Sequence, residues 1–334
     1  MYLYLTVRAK LEWELVQAEC WALTRCLPDR SGVALPNLAS TPASPPCDIT
    51  RAAYTKQAVR VLLHEPDLPS LYQMLAMHNI TAEQFCVQVI RANGDPPALG
   101  VAARMAELIN GDPCLSVPQV TFVVVLHASG VWFGEVIGKS SRQWCAHERK
   151  LYTYSSSLPT RIARAMVNMG ATPGQRIIDP CCGSGTILIE AASMGITAVG
   201  NDNNKRMMKT TQANLAHFGY TAEVLHADAR QLTGSYDAVI TDLPYGKNCL
   251  CDLDTLHALV GHFATLAPRV ILIAGGELAE VLHRLPYEVT TMVSVPKNGK
   301  FMRYLYVLEV RTAGAVPKAD LDHRQPILGR YILS

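Results

Sequence analysis

Residues 176–185 read Arg-Ile-Ile-Asp-Pro-Cys-Cys-Gly-Ser-Gly. The apolar run that ends at Asp179 predicts a short β-strand. The two glycines that follow allow a sharp turn and a close approach of the backbone to a ligand, and the next helix begins with free amides. The stretch therefore predicts a strand, a turn and a helix, with a ligand bound beyond the carboxyl end of the strand.

Strand and helix patterns alternate through the rest of the C-terminal half. This alternation is typical of a parallel, doubly wound α/β sheet, and the last two strands predict an antiparallel hairpin with Gly299 in its turn. We place this Rossmann-like domain at residues 166–315. The predicted strands cover 176–179, 198–202, 222–228, 237–242, 270–274, 289–295 and 303–310, and the predicted helices cover 184–194, 203–217, 253–266 and 278–285.

Two smaller α+β units are predicted before this domain, at residues 1–65 and 66–140. The first has the pattern of a strand at 2–7, a helix at 11–23, either a loop or a strand pair with long turns at 28–48, and a helix at 50–64. The second has the pattern of a strand at 85–90, a helix at 100–110 and a hairpin of 120–126 with 131–137. Residues 141–165 are predicted to form a basic linker.

The composition limits the classes of function that the chain can have. The chain has 334 residues, 49% of them hydrophobic and 17% charged, and a net charge of +2. A large core can be buried, and a nucleic-acid surface must be local. The ten cysteines lack metal or disulfide spacing, which predicts reduced thiols, no metal and a cytoplasmic location. The N-terminus predicts no signal peptide, and no apolar run predicts a membrane span.

Acidic residues end three consecutive predicted strands, at Asp179, Asp202 and Asp228. Ligands of a doubly wound sheet bind at these strand ends. Asp202 can accept hydrogen bonds from both hydroxyls of a ribose, although an acid at this position also suits a helix N-cap. Asp228, beside the Ala229 amide, can accept from an adenine amino group, although it also suits a turn. Asp179 can accept from an ammonium group.

These residues together predict a site for a nucleoside cofactor. The glycines lack the G-x-G-x-x-G spacing of a dinucleotide site, because residue 188 is leucine. The predicted cofactor-binding residues are Asp179, Pro180, Gly183, Gly185, Thr186, Asp202, Asn203, Asp228 and Ala229.

The fourth strand is followed by Asp242-Leu243-Pro244-Tyr245. An exocyclic amine is a poor nucleophile, because its lone pair is delocalised into the ring. The Asp242 carboxylate and the Leu243 carbonyl can bind its two hydrogens and direct the lone pair toward a methyl donor. Pro244 would rigidify the turn and Tyr245 would stack on the base. The motif therefore predicts methyl transfer from S-adenosylmethionine (SAM) to an amino nitrogen of a nucleobase.

A basic stretch lies between the two halves of the chain. It suits either a solvated linker and helix face or a patch that binds nucleic-acid phosphates. Pro159 is predicted to open a helix. The candidate RNA-binding residues are Lys139, Arg142, Arg149, Lys150, Arg161 and Arg164.

Three stretches resemble the THUMP-domain RNA methyltransferases, in particular the archaeal and eukaryotic tRNA guanine N2-methyltransferases that act at guanosine ten. The stretches are Ser157–Asn168, Asp179–Ala192 and Thr241–Gly246. The resemblance covers about residues 140–310, and the N-terminal half resembles a ferredoxin-like domain followed by a THUMP domain. It implies that the THUMP unit binds the acceptor end of tRNA, that the motif at Asp179 binds SAM, and that the motif at Asp242 binds the target amine.

One departure from the family leaves the target nucleotide open. Leu243 replaces the first of two prolines that are usual in the guanosine-ten enzymes, and related enzymes that act at guanosine six vary at this point. The residues also leave open an N6-adenine or protein glutamine methyltransferase, and an RNA-binding protein without catalysis. A small activator subunit, which some relatives require, stays open as well.

Overall fold

The computed structural model describes residues 1–35, 47–92, 99–244, 252–298 and 301–311. The chain forms two compact units. The first comprises Met1–Arg8 and Leu23–Ser140, and the second comprises Ala9–Ala22 and the chain from Ser141 onward. Gly299, in the predicted hairpin turn, lies outside the described residues.

The first unit contains one mixed six-stranded sheet. Its strands are β1 (Tyr2–Thr6), β2 (Val33–Ala34), β3 (Thr55–Glu65), β4 (Phe85–Arg91), β5 (Val120–His127) and β6 (Gly130–Lys139), in the order β2-β1-β3-β6-β5-β4. The helices in this half of the chain are α1 (Trp13–Thr24), α2 (Leu68–His78) and α3 (Val101–Glu107). The strands predicted at 2–7 and 85–90, the helices at 11–23 and 100–110 and the predicted hairpin are all present.

The helix predicted over residues 50–64 is wrong, because β3 occupies most of that stretch. β3 lies inside the sheet and pairs antiparallel with β1 on one edge and with β6 on the other. Pairing on both edges outweighs the helical pattern of residues 50–64. The boundary predicted at residue 65 therefore falls inside one continuous sheet. The assignment of a ferredoxin-like part and a THUMP part stays a prediction.

The second unit contains a seven-stranded sheet. Its strands are β7 (Arg176–Asp179), β8 (Thr197–Asn201), β9 (Glu223–Leu225), β10 (Ala238–Asp242), β11 (Arg269–Ala274), β12 (Tyr287–Asn298) and β13 (Phe301–Val310), in the order β12-β13-β11-β10-β7-β8-β9. β7 to β11 are parallel, and β13 pairs antiparallel with β11 and β12. The predicted α/β, Rossmann-like sheet with an antiparallel terminal hairpin is confirmed.

Helices cover both faces of this sheet. They are α4 (Thr160–Gly170), α5 (Thr186–Ser193), α6 (Lys205–His217), α7 (Leu253–Leu266) and α8 (Ala279–His283). α7 and α8 pack on the face that carries Val239 and Val270. α4 packs on the other face, where a Cβ on Gly170 would lie 2.6 Å from Ile240 Cδ1. The central strands are continuous apolar runs because both of their faces are buried.

Most of helix α1 belongs to the second unit, although it lies far from it in sequence. The fully buried Glu19 accepts a hydrogen bond from Asn168 Nδ2 of α4 at 2.8 Å. Glu14 Oε2 accepts from the amide of Ser294, on the edge strand β12, at 2.8 Å. These contacts bring α1 against α4 and cover part of an edge that would otherwise expose backbone donors.

In the part of the chain that the structure describes, no helix is both long enough and apolar enough to cross a bilayer. The same residues contain no cluster of histidine, cysteine and acidic side chains that could hold a metal ion.

Candidate active site

A cleft of about 900 Å³ lies at the carboxyl ends of the parallel strands. The strand order changes direction between β7 and β10, and ligands of open α/β sheets bind at such a point. Eleven of the thirteen predicted catalytic and cofactor-binding residues line the cleft. They are Asp179, Pro180, Gly183, Thr186, Asp202, Asn203, Asp228, Ala229, Asp242, Leu243 and Pro244.

The two remaining predicted residues are Gly185, which is not among the lining residues, and Tyr245. Tyr245 lies outside the described residues. Gly185 has a positive φ of 81°, and a Cβ on it would lie 2.8 Å from Thr211 Cγ2 of α6. Its amide donates to the Cys182 carbonyl at 2.8 Å. Gly185 thus permits close packing against helix α6. Of the two glycines, Gly183 is the one that lines the cleft and could approach a ligand.

Asp179 is the most buried acid of the cleft, with 2% of its surface exposed. Its Oδ1 accepts hydrogen bonds from Thr241 Oγ1 at 2.8 Å and from the Cys181 amide at 3.2 Å. Burial raises the pKa of Asp179 to about 8, and the nearby Asp242 and Asp202 raise it further, while the two hydrogen bonds oppose the shift. The carboxyl group is therefore poised to become ionised when a cation binds beside it.

Asp202 directly follows β8 and holds the glycine turn. Its Oδ2 accepts from the Gly183 amide at 3.0 Å, and its Oδ1 accepts from the Asn204 amide at 2.8 Å. The N-cap of α6 is Asn204, whose side chain accepts from the Arg206 amide. The helix-capping alternative for Asp202 is therefore wrong, and its carboxylate stays on the cleft wall.

Asp228 accepts more hydrogen bonds from its own loop than the sequence predicts. The third strand ends at Leu225, and Asp228 caps a short 3-10 helix (Ala229–Gln231) by accepting from the Arg230 amide. The Arg230 guanidinium also donates to both carboxylate oxygens, at 2.6–3.2 Å. These hydrogen bonds lower the pKa of Asp228 to about 2. The turn alternative is present in the structure, and the carboxylate still lines the cleft.

The Asp242 motif begins at the last residue of β10. Leu243 is buried in the core beside α7, and its amide donates to the Ile273 carbonyl of β11 at 2.9 Å. A proline at position 243 could not donate this hydrogen bond. The substitution of leucine for the family's first proline therefore has a structural use, because it extends the pairing of β10 with β11 by one residue.

Two of the six candidate RNA-binding residues are buried, which contradicts their predicted role. Arg164 is 4% exposed, and its Nη1 donates to Glu190 Oε2 at 2.7 Å. Lys150 is 9% exposed, and its Nζ donates to the Thr186 hydroxyl at 2.6 Å. Burial lowers the pKa of Lys150 to about 8. Both groups stabilise helix α5, and the Thr186 hydroxyl accepts from Lys150.

The other candidate RNA-binding residues remain at the surface. Lys139, Arg142 and Arg149 are exposed, and Arg161 is half-buried with its guanidinium 5.8 Å from the centre of the Trp144 ring. Pro159 precedes the first residue of α4, as predicted. The structure therefore leaves four of the six basic residues as candidates.

Sequence reasoning missed the side chains that join the strand ends. Asn201, fully buried at the end of β8, donates to the Pro180 and Ala227 carbonyls and accepts from the Ala227 amide, at 3.0–3.1 Å. Thr241 joins β10 to Asp179. An asparagine or threonine just before a strand-end acid was the available signal, because a buried polar side chain there needs backbone partners.

The sequence also gave no indication that the linker forms a wall of the cleft. Residues 154–158 line it, and Ser157 Oγ lies 3.0 Å from Ser184 Oγ of the glycine turn. The Asn214 side chain of α6 binds both the amide and the carbonyl of Tyr152. Asn214 Nδ2 also donates to the Ser184 carbonyl at 2.9 Å. The linker and the turn are thus held by one helix.

Residues 147–274 match the UPF0020 family, described as an RMKL-like methyltransferase domain. This part of the chain is similar to a methyltransferase domain. The match includes the glycine turn, the three strand-end acids and the Asp242 motif. Of the described residues that line the cleft, all but Lys297 lie within the match.

Named relatives of the methyltransferase domain include tRNA-modifying enzymes. A tRNA (guanine(10)-N2)-dimethyltransferase of Methanothermobacter thermautotrophicus is 32% identical over 209 residues, which are 59% of this chain and 62% of that protein. A tRNA (guanine(6)-N2)-methyltransferase of Thermus thermophilus is 37% identical over 98 residues, 27% of this chain and 29% of that protein. The resemblance to tRNA guanine N2-methyltransferases is confirmed, and the chain spans about three fifths of the first relative's length.

Among solved structures, TrmN from Thermus thermophilus is similar, with a TM-score of 0.47 and 21% identity. The similarity covers 92% of this chain and 99% of that one.

Proposed function

We propose that this chain transfers a methyl group from SAM to the exocyclic N2 amine of a guanosine in tRNA. The observation that carries the proposal is that Asp242 and Pro244 line the same cleft as Asp179, Asp202 and Asp228. An acceptor for a planar amine thus faces a set of acids suited to a nucleoside with a cationic tail. The names of the tRNA-modifying relatives support guanosine N2 as the target.

The residues present fit SAM. A buried carboxyl group at Asp179 suits its ammonium group, and the Asp202 carboxylate suits the ribose hydroxyls. Asp228, beside Ala229, suits the adenine amino group, and Gly183 leaves room for close contact of the backbone, because nothing lies within 4 Å of where its Cβ would be. When bound, SAM supplies a methyl group that its sulfonium already activates.

The protein's own task is to hold the target amine and exclude water from it. The Asp242 carboxylate accepts one amine hydrogen, and the Leu243 carbonyl accepts the other. The two acceptors orient the nitrogen lone pair and stabilise the positive charge that develops on it. The pairing of Leu243 with Ile273 and the rigid ring of Pro244 limit how far these acceptors can move.

The finer assignments belong to the same proposal. We place the enzyme in the cytoplasm and the target at guanosine ten, with guanosine six as the other candidate, because relatives of both kinds match the methyltransferase domain. A guanosine within a stem would be taken out of its stack to reach the cleft. The proposal includes Lys139, Arg142, Arg149 and Arg161 as RNA contacts, and leaves a small activator subunit open.

The direct test is incubation of the purified chain with labelled SAM and an unmodified tRNA transcript, followed by nucleoside digestion and mapping. N2-methylguanosine or N2,N2-dimethylguanosine at one position is the expected product. Formation of N6-methyladenosine, or label on protein alone, would show that the methyl acceptor is a different amine, while methyl transfer from SAM would still hold. Binding of tRNA without binding of SAM would favour an RNA-binding protein without catalysis.

The burial of Asp179 predicts a pH-dependent affinity for SAM. With a pKa of about 8, its carboxyl group is mostly protonated at neutral pH, and binding of an ammonium group favours the ionised form. Binding therefore releases a proton. The Kd for SAM should fall as the pH rises from 6.0 to 7.5, by at most about tenfold per unit.

Calorimetry over this pH range provides the measurement. Adenosine, which lacks the ammonium tail, is the matched ligand and should bind with little pH dependence. The Asp179→Asn variant should bind SAM without this pH dependence. An equal slope for SAM and adenosine would show that Asp179 does not face the ammonium group.

The role of Asp202 predicts a loss of ribose recognition. Removal of a charged acceptor from two ribose hydroxyls costs about 1.5–3 kcal/mol per hydrogen bond, so Asp202→Ala should raise the Kd for adenosine at least tenfold. The variant also frees the Gly183 amide, so 2′,3′-dideoxyadenosine is measured beside adenosine. Wild-type protein should prefer adenosine and the variant should lose most of that preference. An unchanged preference would contradict the ribose assignment.

A further inference from the structure

Acidic side chains outnumber lysine and arginine on the described walls of the cleft, which also include His226. Four aspartates line it, at positions 179, 202, 228 and 242, together with Arg230 and Lys297. Arg230 forms a bidentate contact with Asp228. Lys297, near the end of edge strand β12, belongs neither to the predicted cofactor site nor to the amine-binding motif.

The sheet order places Lys297 on the substrate side of the cleft. Asp179 ends β7, Asp202 follows β8 and Asp242 ends β10, and β12 lies three strands beyond β10 in the direction away from β7. Neighbouring strands are about 4.8 Å apart, so β12 is about 14 Å from β10 and about 19 Å from β7. Lys297 is therefore separated from the predicted cofactor residues by the strand that carries Asp242.

The position of the Lys297 ammonium group is restricted by an aromatic ring. Its Nζ lies 5.7 Å from the centre of the ring of Phe301, the first residue of β13, and Phe301 is 39% exposed. A ring face attracts an ammonium group and limits where it lies. A cation beside an exposed ring in a groove is also the usual composition of a surface that follows a single nucleic-acid strand.

We propose that Lys297 binds a backbone phosphate of the RNA strand that presents the target base to Asp242. This inference rests on the proposed function and adds a positioning residue to it. A phosphate is the favoured ligand because a flipped nucleotide brings its own phosphates to the mouth of the cleft, on the side away from the cofactor. The carboxylate of the SAM tail is disfavoured, because the strand-end acids that suit SAM lie on the other side of Asp242.

The test is binding of an unmodified tRNA transcript to the full chain, measured by fluorescence anisotropy at several KCl concentrations. Lys297→Ala should weaken binding by about threefold to tenfold and reduce the slope of log Kd against log salt by about one, because one phosphate contact is lost. Lys297→Arg should restore both values. Lys209→Ala removes an exposed lysine of α6 that does not line the cleft, and serves as the matched control.

Calorimetry with SAM on the same variants separates the two possible ligands. An unchanged Kd for SAM in Lys297→Ala, together with the reduced salt slope, supports the phosphate contact. A weakened Kd for SAM with an unchanged salt slope would assign Lys297 to the cofactor and overturn the proposal. If the wild-type chain methylates tRNA and Lys297→Ala matches it in affinity and slope, only this inference fails. If the wild-type chain binds no tRNA, both the inference and the proposed function fail.

Discussion

Replacing Asp242 with alanine is expected to lower kcat for tRNA methylation by about 10²–10⁴-fold, because the variant loses the acceptor that orients the amine and stabilises its charge. Asp179 and Asp202 do not depend on this side chain for their hydrogen bonds. Removal of the Asp242 charge lowers the pKa of Asp179, which favours binding of a cation, but also removes one nearby attractive charge. These effects oppose each other, so the Kd for SAM should change little.

Single-turnover kinetics and calorimetry on the same preparation measure the two quantities. Asp254→Ala removes an exposed carboxylate from the first turn of α7 and serves as the control. Asp242→Asn keeps the shape and should recover a small part of the rate. Full activity in Asp242→Ala would remove this residue from the mechanism, and loss of SAM binding would assign it to the cofactor.

Replacing Glu190 with alanine is expected to lower the free energy of unfolding of the second unit by about 3–5 kcal/mol. Glu190 is fully buried and accepts from His147 Nδ1 at 2.6 Å and from Arg164 Nη1 at 2.7 Å. The variant leaves the Arg164 guanidinium buried beside a cavity, without its carboxylate. Helix α5, which begins at the glycine turn, loses the ion pair that joins it to α4.

Urea unfolding gives the change in stability, and hydrogen exchange localises it to α4 and α5. Glu223→Ala is the matched control in the same unit, since its contact with Arg176 is long, at 3.9 Å, and solvent-exposed. That variant should change the unfolding free energy by less than about 1 kcal/mol. Equal protection of α5 amides in Glu190→Ala and in the wild type would mean that the contacts of Glu190 with His147 and Arg164 contribute little to stability.

Sequence patterns predicted the sheet of the second unit almost strand by strand. The reason is that its strands are short apolar runs buried on both faces and bounded by turns, so local composition and tertiary environment agree. The same agreement identified the cleft, because the acids at the ends of β7, β8 and β10 must lie at one edge of a parallel sheet. In the structure these acids line one cleft.

The failures share a different cause, which is that partners distant in sequence decide the outcome. β3 is a strand because β1 and β6 pair with it, and neither partner can be read from its own residues. Arg164 and Lys150 looked like surface cations, but Glu190 and Thr186, which bury them, lie more than twenty residues further along the chain. Asn201 acts through backbone groups on other loops and Thr241 through the Asp179 carboxyl group, and such contacts leave no periodic signal.

The placement of α1 with the second unit has a consequence for biosynthesis. Leu15, Val16 and Cys20 are fully buried, yet the rest of the unit to which they belong is synthesised only after residue 140. During that interval α1 is synthesised before α4 and β12, the elements that it contacts. A fragment cut to start at residue 141 would lack the contacts of Glu14 and Glu19, so we expect it to be less stable than a piece of the chain that includes this helix.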